Sequence, residues 1–152
     1  MNVQEFLNEH HVRYRPVLHR ATFSAQRMAD TLHVPGDHVA KTVILKVDGS
    51  YVLALLQATQ YVDISFFKAT LRAESVELAT ETELAEIFED CEIGAIPPFG
   101  SRYGMETIVD ESLTHDHLIV FEGNSHEESI CMNYEDFEEL ERPQVAHFSR
   151  HV

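Results

Sequence analysis

Apolar and polar positions divide the chain into short elements. Residues 2–11 place Val3, Phe6 and Leu7 on one side of a helical turn, so a short helix is expected there. Tyr14 to Leu18 read as extended, and Pro16 assigns that strand to a sheet edge, because proline cannot donate to a ladder. Ala25, Met28, Ala29 and Leu32 recur at helical spacing behind a capping Thr22 or Ser24, and Pro35-Gly36 ends that helix. The strongest local signal is VAKTVILKVDGSYVLALLQA, beginning at Val39. Two apolar, β-branched runs flank Asp48-Gly49, a pair suited to a two-residue hairpin turn in which both positions take positive φ. Both faces of each run are apolar, so the two strands belong in the middle of a sheet, covered on both sides.

Further elements follow at short intervals. A helix is expected around Ile64–Leu71 and a short strand at Val76–Leu78. Thr80-x-x-Glu83 is a capping box opening a helix through Phe88. After the loop GAIPPFG come strands near Thr107–Val109, Leu118–Phe121 and Ser129–Met132. A last helix, Tyr134–Leu140, has Asn133 at its cap position and stops before Pro143. The sum is an α+β fold, a mixed and largely antiparallel sheet flanked by helices. With 152 residues and no linker, repeat or low-complexity tract, residues 1–152 read as a single domain.

Composition and charge narrow the function. The two cysteines, Cys91 and Cys131, form no CxxC, so neither a disulfide framework nor a structural zinc site is expected. No apolar run is long enough for a membrane span, and the first residues are polar and acidic, which makes a cytoplasmic protein without membrane contact the expectation. The formal net charge is −15. It is unevenly spread, with 8 basic and 6 acidic side chains in residues 1–73 against 3 and 20 in residues 74–152. Such a body repels phosphate backbones, which argues against broad coating of DNA or RNA. A local contact with one nucleic-acid end would fall on the first half.

Three places depart from ordinary patterning. Lys41 shares a strand face with Val39, Val43, Leu45 and Val47, where an ammonium is costly unless it finds a partner, a cleft or the water at the strand end. If the Asp48-Gly49 turn sets the register, Lys41 lies opposite Leu56. In Gly94-Ala95-Ile96-Pro97-Pro98-Phe99-Gly100, two prolines fix φ and two glycines free it. The loop is either a stiff connection or a rigid frame offering its remaining N–H groups to a ligand, as an oxyanion site requires. His126, in Glu122-Gly123-Asn124-Ser125-His126, is a surface residue, a general base, an orienting donor or a metal ligand. His115-x-His117 lacks a third ligand, so no metal site and no cofactor is expected. No GxSxG, HExxH, Walker A or GxGxxG motif appears, and neither cysteine stands in a nucleophile motif.

In order along the chain, these features resemble the YbaK/prolyl-tRNA-synthetase-associated domain family of aminoacyl-tRNA editing proteins. The resemblance runs from about His19 to Leu140. It is carried by His19-x-x-Thr22, Ala40-Lys41-Thr42, Asp48-Gly49, the GxxxP loop from Gly94 to Pro98, Val109-Asp110-Glu111-Ser112-Leu113, and Glu122-Gly123-Asn124-Ser125-His126. It implies a curved central sheet and hydrolysis in trans of mischarged aminoacyl-tRNA. Lys41 then matches the lysine that holds the tRNA 3′ end, Gly94 to Pro98 match the loop bordering the scissile ester, and His126 matches a pocket histidine of some members. Lys41, Gly94 and His126 become the catalytic candidates. His19, Thr22, Thr42, Ala95, Ile96, Pro97, Pro98, Phe99 and Gly123 become the substrate-binding ones. Two departures stand out: Glu89-Asp90 where many relatives carry glycine, and Glu122 where most carry a small residue. The tail after Pro143 has no family counterpart.

The chemistry this implies is modest. An aminoacyl ester is already activated, and backbone N–H groups worth roughly 3–4 kcal/mol each at an oxyanion would suffice beside the substrate's own ribose hydroxyl. No enzyme nucleophile or cofactor is then needed. The partners implied are the 3′ end of a mischarged tRNA and, further, an aminoacyl-tRNA synthetase. Two other readings remain open: a module that binds a nucleotide or tRNA 3′ end without cleaving it, and an interaction domain using its acidic half.

Overall fold

The computed structural model describes residues 1–19 and 38–151. The helix expected over 22–32, and Thr22 with it, lies outside them. The central hairpin is β2 (Ala40–Val47) and β3 (Ser50–Gln57), paired antiparallel. Asp48 and Gly49 take φ of 49° and 86°, so the turn has the expected left-handed pair. It fixes the register, and Lys41 falls opposite Leu56. Alternation then sends Ala40, Ile44, Leu53 and Leu55 into one apolar cluster, and Leu45, Val52, Ala54 and Leu56 into a second. Full burial of each such leucine is worth roughly 1.5–3 kcal/mol, so a one-residue slip of this hairpin would be prohibitive.

Around it, β5 (Val76–Leu78) pairs with β2, and β6 (Glu106–Asp110) runs parallel to β3. The tail adds β9 (Gln144–Ala146) parallel to β6, completing the order β5-β2-β3-β6-β9. A three-stranded antiparallel sheet has the order β1-β8-β7, built from β1 (Arg15–Leu18), β7 (Leu118–Glu122) and β8 (Glu128–Asn133). Pro16 sits on its edge strand, as expected. A parallel bridge between Val39 and Val120 joins the start of β2 to β7 and so ties the two sheets together.

Four α-helices are seen among the described residues. These are α1 (Val3–Glu9), α2 (Ile64–Leu71), α3 (Glu81–Ile87) and α4 (Tyr134–Glu141). Helix α1 buries Val3, Phe6 and Leu7. Helix α3 forms the expected capping box, Thr80 with Glu83. Hydrogen bonds from the Tyr51 hydroxyl and the Thr80 amide hold the Glu83 carboxyl down to about 2. Asn133 precedes α4 but makes no side-chain cap bond; the helix start is held instead by Tyr134 N–H donating to the His117 carbonyl at 3.0 Å. The first core lies between the two sheets, α1, α4 and residues 95–99, with Phe99 at its centre against Phe6, Phe121 and Phe137. The second lies on the other face of the hairpin, where Phe67 of α2 meets Phe148 of the tail at 5.1 Å.

Asp110 anchors that tail. Its side chain is fully buried and accepts from the amides of Phe148 (2.9 Å), Ser149 (3.0 Å) and Ser112 (3.1 Å) and from the hydroxyls of Ser112 and Ser149. The tail then continues into β10 (Ser149–His151), paired with β4 (Gln60–Val62). Burial alone would raise the Asp110 carboxyl, but the donors from Phe148, Ser112 and Ser149 outweigh it and leave it below its ordinary value of 3.8. Its contribution is therefore present above that value and lost as pH falls through the lower folded one. Asp110→Ala leaves several buried donors unmatched and should cost about 3–5 kcal/mol in urea unfolding. Asp110→Asn should cost less, and should flatten the acid limb of stability below pH 3.8. A variant as stable as wild type would show that the tail is held by packing alone.

Candidate functional site

The site grows out of the β7–β8 hairpin. Along it, Ile119, Phe121, Ile130 and Met132 enter the first core. Val120, Glu122, Ser129 and Cys131 therefore face the other way. Val39 bridges Val120, and two residues further on, on the same face of each strand, stand Lys41 and Glu122. Glu122 pairs across the hairpin with Ser129, and Ser129 pairs in turn with Val17 of β1. Just past the end of β1, His19 Nε2 lies 2.6 Å from Ser129 Oγ. Lys41, Glu122, Ser129 and His19 thus form a row across β2, β7, β8 and the end of β1.

His126, at the hairpin tip, connects this row to the glycine-proline loop. Its ring is buried, with 6% of the residue exposed. Nδ1 lies 2.8 Å from Glu122 Oε2, and Nε2 lies 2.7 Å from the Ile93 carbonyl oxygen. The His126 amide donates to Glu92 Oε2 at 3.2 Å, and the Glu92 amide donates to the Asn124 carbonyl at 2.8 Å. Residues 92–93 are therefore bound to the hairpin from both sides. Gly94 follows with φ of +87°, and a Cβ there would sit 3.4 Å from His126 Cε1.

Few donors are left in the loop. The Ala95 amide is taken by the Glu92 carbonyl and the Phe99 amide by the Pro97 carbonyl. Pro97 and Pro98 have none to give. Among the described residues, the amides of Gly94 and Ile96 donate to no protein group. They are the loop's candidate oxyanion donors.

The charges are unusual. Lys46, on the opposite face of β2, pairs with Glu83 at 3.3 Å. Lys41 has no such carboxylate within ion-pair distance among the described residues, and burial lowers its pKa. Burial also pushes the Glu122 carboxyl up to about 7, with the charge of His126 pulling it down and that of Glu92 adding to the rise.

The remaining sequence candidates fall in several places. Thr42 is on the opposite face of β2 from Lys41. Ala95, Ile96, Pro97 and Pro98 are buried behind Gly94, and the Phe99 side chain is spent on the aromatic core. Gly123 packs against Val3 and Ile130, away from the row. Thr22 lies outside the described residues. Ser129 escaped the sequence reading; its one signal is a polar residue alternating with Ile130 and Met132 in a buried strand. Two surface grooves, of 580 Å³ between α1 and α4 and of 410 Å³ beside β1, include none of Lys41, Gly94 and His126. Among the described residues no group of three or more His, Cys, Asp and Glu is placed to hold a metal ion. No helix of those residues is long and apolar enough to cross a membrane.

The helix-flanked, antiparallel-dominated sheet has the architecture of an aminoacyl-tRNA editing domain. The family model of that description matches residues 19–140, and the chain belongs to this family. It is 34% identical over 74 residues to a proline–tRNA ligase of Staphylococcus aureus strain Newman, a match covering 49% of this chain and 12% of the ligase. The same figures hold for the ligase of strain COL. The chain thus corresponds to a small part of those enzymes. In fold it is similar to the crystal structure of hypothetical protein APE2540, with a TM-score of 0.88, 19% identity, and coverage of 97% of this chain and 99% of that one. It is also similar to a candidate trans-editing enzyme for prolyl tRNA synthetase, with a TM-score of 0.84, 19% identity, and coverage of 97% and 94%.

The geometry makes Gly94 testable. Its positive φ should cost an L-residue about 1–2 kcal/mol, whereas the 3.4 Å gap leaves room for a methyl group. Gly94→Ala should therefore lose about that much stability in denaturant unfolding, and Gly94→Val more, because its branches press on the His126 ring. Equal losses for the two variants would mean the ring does not limit this position.

Proposed function

We propose that this protein hydrolyses the ester bond of mischarged aminoacyl-tRNA in trans, with the substrate's ribose hydroxyl helping to activate water. Membership of the editing family supports the general activity. The observation that carries the assignment to residues is the half-buried Lys41 without a carboxylate, on the sheet face that also bears Glu122, with His126 and Gly94 next in line. A cation kept from internal pairing is suited to a phosphate of the tRNA 3′ end. The Gly94 and Ile96 amides are the donors for the tetrahedral oxyanion, each worth roughly 3–4 kcal/mol if well aimed. His126 has both ring nitrogens against protein atoms, so it acts on the loop and not as the base. With His126 so occupied, the substrate's own ribose hydroxyl is the group this reading uses to activate water. The tRNA for proline is the first to test, because the matched ligases act on it by name.

Purified protein incubated with a panel of mischarged tRNAs should release amino acid from at least one of them. Lys41→Ala should lower that rate by about 10²-fold or more while leaving the unfolding free energy within about 1 kcal/mol of wild type. Lys41→Arg should recover only part, since a planar fork cannot reproduce a compact ammonium. Wild-type turnover in Lys41→Ala would remove the lysine from the mechanism. Tight, salt-dependent binding of a CCA end with no ester loss would favour the non-catalytic reading instead.

A further inference from the structure

Counting donors and acceptors around His126 gives a result that neither residue shows alone. The Ile93 carbonyl can only accept, so at 2.7 Å the Nε2 atom must carry a hydrogen. The other nitrogen, Nδ1, faces Glu122 Oε2 at 2.8 Å. A bare Nδ1 and an ionised carboxylate are both acceptors, and they would repel at that distance. The contact therefore needs one more proton, either on Nδ1 beside a carboxylate or on Oε2 beside a neutral ring. Moving the ring hydrogen from Nε2 to Nδ1 does not remove the need, because it would leave bare Nε2 against the Ile93 oxygen. With one proton retained by the pair, ring and carboxylate attract as a buried ion pair rather than repel, although the ring N–H is not aligned on Oε2 as in a regular hydrogen bond. Without it, one of the two ring contacts must break.

We propose that Glu122 and His126 form a proton-dependent latch, in which the proton retained by the pair keeps the ring on the Ile93 carbonyl and so holds Gly94 and its amide in place. Glu122 and His126 are then positioning residues. They act through the peptide that precedes the candidate oxyanion donor. The surroundings agree with a retained proton. Glu92 presents a second carboxylate to the His126 amide, and Glu128 stands at the hairpin's opposite side, near Gly123. Glu92 opposes a further negative charge on Glu122, whereas Glu128 lies on the other face of the hairpin, bonded to Gln4. His19 lies one residue beyond, on Ser129, and Lys41 lies on the neighbouring strand without an ion pair to Glu122. Burial of the Glu122 carboxyl works in the same direction. The latch should therefore be closed at acid pH and released as pH rises through neutrality. Any effect on turnover rests on the deacylase reading, whereas the latch itself does not.

Nitrogen-15 NMR of the His126 ring in the whole protein tests the latch without substrate. In wild type, Nε2 should remain protonated while the Nδ1 signal moves in a single step as the pair loses its proton, and the Gly94 and Ile96 amide signals should move with the same midpoint. Glu122→Gln supplies a permanent N–H to Nδ1, so the step should vanish from both ring and amide signals. Loss of the Nε2 hydrogen in wild type, flat Gly94 signals through the ring's titration, or an unchanged titration in Glu122→Gln would each overturn the proposal. The wild-type titration decides alone if that variant fails to fold. Deacylation, corrected for spontaneous ester loss, is the second readout. Wild-type rate should fall about tenfold per pH unit above the latch midpoint, and Glu122→Gln should lose that fall. Identical profiles would overturn the latch's part in turnover. Intact latch signals with no ester loss on any tRNA would overturn the deacylase reading and leave the latch standing.

Discussion

One imidazole determines where two distant stretches of chain meet. The residues before Gly94 are held to the β7–β8 hairpin by the His126 ring on the Ile93 carbonyl, with the Glu92 and Asn124 contacts beside it. None of these is a hydrophobic contact. The loop's apolar side chains, Ile96 and Phe99, are buried in the first core and fix its far end. The near end carries the exposed Gly94 with its unspent amide, and polar bonds fasten the residues before it. Packing supplies stability at one end of the loop, and hydrogen-bond geometry supplies aim at the other. An oxyanion site needs both, because a donor misplaced by a fraction of an ångström loses most of its worth.

The same division explains Lys41. The hairpin register is set by four buried leucines and a two-residue turn, so the lysine cannot leave the face it occupies without exposing them. The bridge from Val39 to Val120 then brings β7 alongside. A desolvated ammonium is a cost to the fold. It persists because the surrounding strand is over-determined, which is the pattern expected where a charge is kept for a ligand.

Much of this was readable before any coordinates. The Asp48-Gly49 turn, the Lys41–Leu56 register and the Thr80–Glu83 box follow from local chemistry, in which a few neighbouring residues decide the outcome. The family signature likewise marked Lys41, Gly94 and His126. Less readable were features that depend on what lies across space. Strands β4, β9 and β10 were not expected, because each is three residues long and is set by the partner it meets across space. Phe99 looked like a loop residue near the ester and is a core residue, because a proline-rich loop in sequence carries no sign of which side chain turns inward. Asn133 has the right residue type for a cap, yet the His117 carbonyl performs the task.

Glu122 is the instructive case. In sequence it is a departure from the family pattern, an acidic residue where a small one is usual, and it reads as something that would disturb phosphate or bias the pocket. In the fold its carboxylate is turned toward His126 rather than toward an open surface. The charge that looked like an obstacle to the tRNA is thereby neutralised within the protein by a single retained proton. On the proposed reading, the cation left on that face is Lys41, inside a chain whose formal charge is −15. An acidic protein binds an anionic end more readily where its own anions are tied up locally, and in the proposed function the Glu122–His126 pair would do this beside Lys41.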